Sequence, residues 1–252
     1  MRKLLLILIA LPMVGFGQNV NIPDANFKAV LVGNSTINTN GDSEIQVSEA
    51  TAFNGTIDCE SMNISNLTGI EAFTALEILQ CGSNNLTSLD VTSNTSLIEL
   101  WCSYTQLTSF DVSNNTNLTL LYCPYNQLTT LDVSATTALT MLWCEENNQL
   151  TSLDLRNGNN TNFHLMDAYD NPNLTCINVD DVAWSTTNWT NIDPHHYFSN
   201  NCPPPTSIKE HTINKELLKV TDILGRETKG TKNEVLFYIY DDASVEKRIV
   251  IE

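Results

Sequence analysis

Between residues 76 and 155 apolar side chains recur with one spacing. Leu76, Leu79, Cys81 and Leu86 set a frame, L-x-x-L-x-C-x-x-N-x-L, that returns at 97–107, 118–128 and 139–150. Its cysteines stand at 81, 102, 123 and 144, a period of 21 residues. Each copy runs on into a second half, L-T-S-L-D-V-S-x-N-T-x. Thr105 replaces the asparagine of the second copy, and the fourth holds one extra residue. A degenerate copy precedes the array around Ile57, Cys59, Met62 and Ile64. Another follows it, at Phe163, Met166, Ala168, Asn171 and Leu174, after an insertion near 157–162. Self-similarity of this kind predicts a solenoid in which no repeat folds alone and each adds one short strand to a parallel sheet. With strands ~4.8 Å apart, six or seven rungs make a body roughly 30 Å long.

The repeated segments resemble the leucine-rich repeat, with cysteine in place of its third leucine. That resemblance implies an α/β-type solenoid, predominantly β, with 21-residue repeats over 53–175. Residues 18–52 read as an N-terminal cap opening with a helix over 21–31, and 176–202 as a C-terminal cap. Pro203, Pro204 and Pro205 form a stiff linker, which marks a domain boundary.

The two ends read as addresses. Arg2 and Lys3, an apolar stretch and small residues at Gly15 and Gly17 have the form of a secretory signal peptide over 1–17, with cleavage before Gln18. The stretch falls short of the ~20 residues a spanning helix needs. Beyond the prolines, 217–228 reads as strand, turn, strand, and 235–240 and 248–252 as two more. The VTDILGRET stretch, the FYIY strand and the terminal VEKRIVIE resemble the C-terminal sorting domain of the type IX secretion system of Bacteroidetes, over 206–252. An NPxxxxL-type strand is missing from the pattern, which fits a short variant. The resemblance implies delivery to the cell surface or the medium by that machinery, with no transmembrane segment in the mature chain.

Charge narrows the partners. The whole chain carries 29 acidic and 12 basic residues, yet Lys28 and Arg156 are the only basic residues between 18 and 205, against 20 acidic ones. Such a surface repels phosphate backbones and anionic lipid heads, leaving cations, neutral sugars or proteins.

Several groups invite a chemical reading beside a structural one. Cys59, Cys81, Cys102, Cys123 and Cys144 lack a C-x-x-C pair for tetrahedral metal, and stacked parallel strands hold thiols poorly for disulfides. Buried thiols acting as small hydrophobes is the favoured reading. Cys176 and Cys202 lie outside this column in an exported chain and are expected to form a disulfide. Asn38, Asn40, Asp42 and Glu49 occupy positions 1, 3, 5 and 12 of a calcium-type loop, though Asn opens it and Ser43 stands where Gly makes the sharp turn. A polar capping loop is the alternative, and calcium is the one cofactor suggested. Asp90, Asp111, Asp132 and Asp154 form a column expected to accept backbone N–H bonds in turns. His195 and His196, adjacent on a loop, are expected to diverge and not to hold a metal.

Residues between the inward Leu and Cys point outward. One such column reads Gln80, Trp101, Tyr122, Trp143, Asp167, and a second, two past each Cys, reads Ser83, Tyr104, Tyr125, Glu146, Asp170. Five aromatics thus gather on one face that grades into carboxylates. They either pack along the sheet or form a contact surface of Trp101, Tyr104, Tyr122, Tyr125, Trp143, Glu146 and Asp167. No Ser-His-Asp order, H-E-x-x-H or Gly-rich phosphate loop stands out, so no enzyme is expected. The expected function is protein binding or adhesion, by analogy with other leucine-rich repeats. The alternatives are glycan capture by Trp101, Tyr122 and Trp143, or a structural surface spacer.

Overall fold

The computed structural model describes residues 17–203, 217–221, 226–228, 235–240 and 245–249. The expected signal peptide lies outside the described residues, apart from Gly17. The chain divides into two compact units, 1–204 and 205–252, described here one at a time. Among the described residues, no helix is long and apolar enough to cross a membrane.

The first unit opens with helices α1 (Ala25–Gly33) and α2 (Val47–Ala52). Asp24 caps α1 by accepting the N–H groups of Asn26 and Phe27 through Oδ1 (3.0 and 3.1 Å). Its Oδ2 accepts from the N–H groups of Ser65 and Asn66, which ties the helix to the first rung. Three-residue strands then follow: β1 (Thr56–Asp58), β2 (Ile78–Gln80), β3 (Glu99–Trp101), β4 (Leu120–Tyr122), β5 (Thr130–Asp132), β6 (Met141–Trp143), β7 (Ser152–Asp154), β8 (Leu165–Asp167) and β9 (Cys176–Asn178). Helix α3 (Val182–Asn188) and strand β10 (Tyr197–Ser199) close the unit, and a disulfide joins Cys176 to Cys202 with Cα atoms 5.7 Å apart.

This is a leucine-rich-repeat solenoid. Its main sheet runs β1-β2-β3-β4-β6-β8, parallel throughout and in register, so that Leu79, Leu100, Leu121, Leu142 and Met166 stack inward. A second parallel sheet, β10-β9-β7-β5, lies in the other half of the repeat. One strand per repeat was expected, and the later repeats contribute two. Their L-T-S-L-D-V segment alternates buried Leu131 and Val133 with exposed Asp132, and this period of two suits a strand. Every consensus apolar position is interior except Phe110, which is half-buried against the core. Leu76, Leu86, Val91 and Cys81 of one rung are fully buried, as are their counterparts Leu97, Leu107 and Cys102.

Polar side chains also run through the core, for a reason the backbone imposes. Where a rung turns away from its strand, carbonyl and N–H groups lose their sheet partners and must be satisfied inside the protein. Asn84 donates through Nδ2 to the carbonyls of Cys59 and Cys81 (2.8 and 3.0 Å) and accepts at Oδ1 from Ile64 N–H (2.9 Å). Asn126, two rungs on, and Asn147 and Asn171 on the rungs that follow it repeat this arrangement. At the Thr105 position the hydroxyl lies between the Cys102 carbonyl and the Asn126 carboxamide oxygen. A second ladder on the opposite side uses Asn94, Asn115 and Asn157, each bonded to carbonyls of the rung before it.

In the second unit, β11 (Leu217–Thr221), β12 (Val235–Tyr240) and β13 (Val245–Ile249) form an antiparallel sheet in that order. The last strand was expected at 248–252 and begins earlier. Pairing with β12 runs from Ile239↔Val245 to Val235↔Ile249. Glu227 bridges to Thr221, and most of the turn expected at 222–227 lies outside the described residues.

Two outcomes follow. Asn126→Ala leaves the buried Leu107 N–H without its acceptor and takes one of two donors from each of the Cys102 and Cys123 carbonyls, which keep Thr105 and Asn147. With about 1–3 kcal/mol for the unsatisfied N–H and a further contribution from the two lost bonds, urea unfolding should show a loss of ~2 kcal/mol or more. A loss below ~1 kcal/mol would show that the ladder is not a principal support. Burial pushes the thiols of Cys59 and Cys102 up to about 12 and raises those of Cys81, Cys123 and Cys144 as well. The five free cysteines should therefore resist a thiol reagent at pH 8 in the native protein and react only on unfolding.

Candidate functional site

The register of the main sheet builds the exposed face. Pairing of Gln80↔Trp101, Trp101↔Tyr122, Tyr122↔Trp143 and Trp143↔Asp167 places these side chains in one row. The Trp101 and Tyr122 ring centroids lie 5.0 Å apart with planes tilted by 40°, and those of Tyr122 and Trp143 5.6 Å apart at 64°. All three rings are half-buried by one another. A neighbouring row that the sequence reading passed over, Ile78, Glu99, Leu120, Met141 and Leu165, occupies the other outward position of each strand. It was legible as the first outward residue of L-x-x-L-x-C. Glu99 belongs to it and accepts the Trp101 indole N–H at 2.9 Å.

The row two residues past each cysteine has an unusual backbone. Ser83, Tyr104, Tyr125, Glu146 and Asp170 all sit in the left-handed region, with φ between 51° and 56°. For residues other than Gly or Asn this costs on the order of 1–3 kcal/mol each. Tyr104 and Tyr125 nevertheless hold it while 53% and 40% exposed, and their rings stack with centroids 4.2 Å apart and planes within 9°.

Toward the C-terminal end the face turns acidic. Glu145, which the sequence reading did not single out, lies between the two rows. Burial pushes its carboxyl up from an ordinary 4.5 to about 7, against its own backbone N–H, with Asp167 and Glu146 adding to the rise. Its Oε2 is buried without a hydrogen-bond partner. Burial also raises the Asp167 carboxyl, although Tyr169 N–H and the Asn191 side chain donate to it. The structure thus brings Trp101, Tyr122, Trp143 and Asp167 into one row and Tyr104, Tyr125 and Glu146 into the next.

The other candidates are absorbed by the fold. Each aspartate of the repeated column accepts the N–H two residues on: Thr92 for Asp90, Ser113 for Asp111, Ser134 for Asp132 and Arg156 for Asp154. In the calcium-type loop, Glu49 Oε1 accepts from Thr39 N–H, Thr39 hydroxyl and Asn40 N–H, and Oε2 from Gln46 N–H. Asn38 and Asp42 are tied by further bonds within the loop, and Asn40 donates to Asp42 Oδ2. The four oxygen-bearing side chains are together, engaged with each other and with backbone.

The two histidines do not diverge as expected. A tight turn, closed by His196 N–H donating to the Asp193 carbonyl at 2.9 Å, brings their rings to 4.6 Å and sets both beside Asp193. The cluster is nonetheless spoken for. Asp193 accepts from the N–H groups of Asp170 and Asn171 (3.0 and 2.8 Å), taking the place a further ladder asparagine would have. Burial lowers the His196 pKa, its Nδ1 accepts from Asp193 N–H, and Nε2 lies 3.2 Å from the Asn171 carbonyl.

No protein-family model and no curated relative matches this chain. Among solved structures it is similar to the functional domain of InlJ from Listeria monocytogenes, which includes a cysteine ladder. The two are 26% identical with a TM-score of 0.48, over 74% of this chain and 49% of that one. The present chain thus spans about half the length of the InlJ structure. Internalin InlF of the same organism is 17% identical with a TM-score of 0.43, covering 71% of each chain. Internalin C2 is 17% identical with a TM-score of 0.39, over 72% of this chain and 96% of that one.

The Glu145 carboxyl sets a pH dependence. Its folded pKa stands above the unfolded value, so between about pH 4.5 and 7 the folded chain keeps a proton that the unfolded chain has lost. Stability contributed below that window is lost as pH rises through it. Glu145→Gln should leave the melting temperature unchanged near pH 4.5 and raise it at pH 8, flattening the fall between. Parallel melting profiles for the two proteins would refute this account.

Proposed function

We propose that the chain is an exported, non-catalytic binding protein that holds a protein partner on the aromatic face of its solenoid. The observation that carries the reading is the pair Tyr104 and Tyr125, exposed, stacked and held in a backbone conformation that costs energy. Packing alone does not call for this, since an Asn or Gly there would relieve the strain without opening the core. Strain retained at a solvent-facing position is the signature of a functional constraint. Exposed tyrosine and tryptophan also supply large contact area at low entropic cost.

A protein is favoured over a glycan by ring geometry. Trp101, Tyr122 and Trp143 are tilted at 40° and 64° to one another, a ridged surface for side chains to enter rather than a flat platform for sugar rings. In this reading residues 1–17 direct export and 206–252 act as the type IX sorting domain, with surface display or release as the outcome.

The test is capture by the full chain from detergent extracts of candidate surfaces and from a polysaccharide panel, beside a Trp101→Ala/Trp143→Ala variant of matched stability. The wild type should retain a protease-sensitive partner at least about tenfold better. Equal capture by both proteins, or none by either, would overturn the reading in favour of a spacer. A protease-resistant partner would transfer it to glycans.

A further inference from the structure

The charge of the face specifies its partner further. Within residues 17–203 the only two cations are already engaged: Lys28 Nζ with Glu44 at 2.6 Å, and Arg156 with Asp154. Neither of them pairs with Glu99, Glu145, Glu146, Asp167 or Asp170. The carboxylates of the binding face are therefore left without counter-ions of the unit's own. Glu145 stands out, half-buried, with one oxygen that no donor reaches. The groups interacting with it supply no positive charge: Asp167 and Glu146 are acidic, and Tyr122 and Tyr125 are neutral. Tyr122 and Trp143 share this outward row with Asp167, and aromatic quadrupoles attract cations.

We propose that the partner segment is basic, and that it inserts an arginine side chain between the Tyr122 and Trp143 rings and the carboxylates of Glu145 and Asp167. This deepens the protein-binding reading and rests on it. A guanidinium is the best fit among cationic side chains. Its plane stacks on an aromatic ring while its edge donates two parallel bonds to a carboxylate, and it loses hydration more readily than an ammonium. The docked cation would relieve the repulsion between Glu145, Glu146 and Asp167. An acidic or neutral segment would leave it unrelieved. The long-range field of residues 18–205, with 20 acidic and two basic side chains, would draw such a segment in.

The probe is a fluorescent dodecapeptide, Gly-Ser repeats interrupted by three arginines, against the same peptide with citrulline, the neutral isostere, and with lysine. Anisotropy is read on the full chain at 50 mM salt. The arginine peptide should bind at least tenfold tighter than the citrulline peptide and more tightly than the lysine one. Glu145→Gln and Trp143→Ala should each weaken the arginine peptide about tenfold. Glu71→Gln, which removes one charge from another side of the solenoid, should leave it unchanged. Equal weakening by Glu71→Gln and Glu145→Gln would mean attraction to net charge alone and would sink the proposal. So would equal binding of arginine and citrulline peptides, or no binding of either. The broader reading is judged separately. If the Trp101→Ala/Trp143→Ala variant loses a protein partner that excess arginine peptide does not displace, the face binds protein and the arginine assignment alone fails.

Discussion

The structure depends on one repeated hydrogen-bond exchange, the reach of a buried carboxamide from each rung to the one before it. Apolar stacking can hold a column of leucines together without deciding how the chain turns between strands. At those turns the backbone leaves its sheet, and an unpaired carbonyl in the core would cost about as much as a buried leucine gains. Asn84, Asn126, Asn147 and Asn171 meet that need with donor and acceptor on one rigid group, joining two consecutive rungs. Cysteine beside them is a matter of volume. The inward position above the asparagine has room for a small apolar side chain, and at the last rung Ala168 takes it, also fully buried.

The aromatic face follows from the same constraint. A rung locked on its inner side by leucine, cysteine and asparagine is free to vary on its outer side, because outward residues on a three-residue strand touch only their neighbours along the sheet. That freedom is spent unevenly here. Aromatics occupy the middle rungs, and carboxylates take over at Glu145, Glu146, Asp167 and Asp170. The turn that brings the chain back from the strand also holds one residue per rung in the left-handed region, so tyrosine at that point projects from a fixed backbone. Rigid presentation of this kind lowers the entropy lost on association.

The repeat was plain in the sequence because its cysteines and leucines return at a fixed period, and each returning position proved interior apart from half-buried Phe110. The second sheet was less plain. Its alternation, Leu131, Asp132, Val133, was visible, but three residues are a short signal beside an 11-residue consensus. Glu145 escaped notice for another reason. Its counterparts on earlier rungs are Gly82, Ser103 and Pro124, so no column marked the position, and its environment arises only once Asp167 and Tyr122 are placed beside it. The Asp193 and His196 turn departs from expectation because a backbone bond closes it and gathers adjacent side chains, and no residue pattern marks that bond. Aspartate there continues the ladder with a different residue type, which a consensus cannot reveal. The departure at Met62 has a physical cause too. It stands at the asparagine position of the first rung, 49% exposed, where no earlier rung offers carbonyls to bond.

The ladder also has a direction. Asn84 bonds back to the Cys59 carbonyl, Asn126 to Cys102, Asn147 to Cys123 and Asn171 to Cys144, and none reaches forward with its amide nitrogen. A rung's carboxamide therefore finds partners in its predecessor, and the predecessor's turn carbonyl and N–H are satisfied only when that next rung arrives. Such a chain is suited to assembly as it emerges amino end first. Each coil completes the one before it and is a template for the next, and only the latest one is ever left with an open edge.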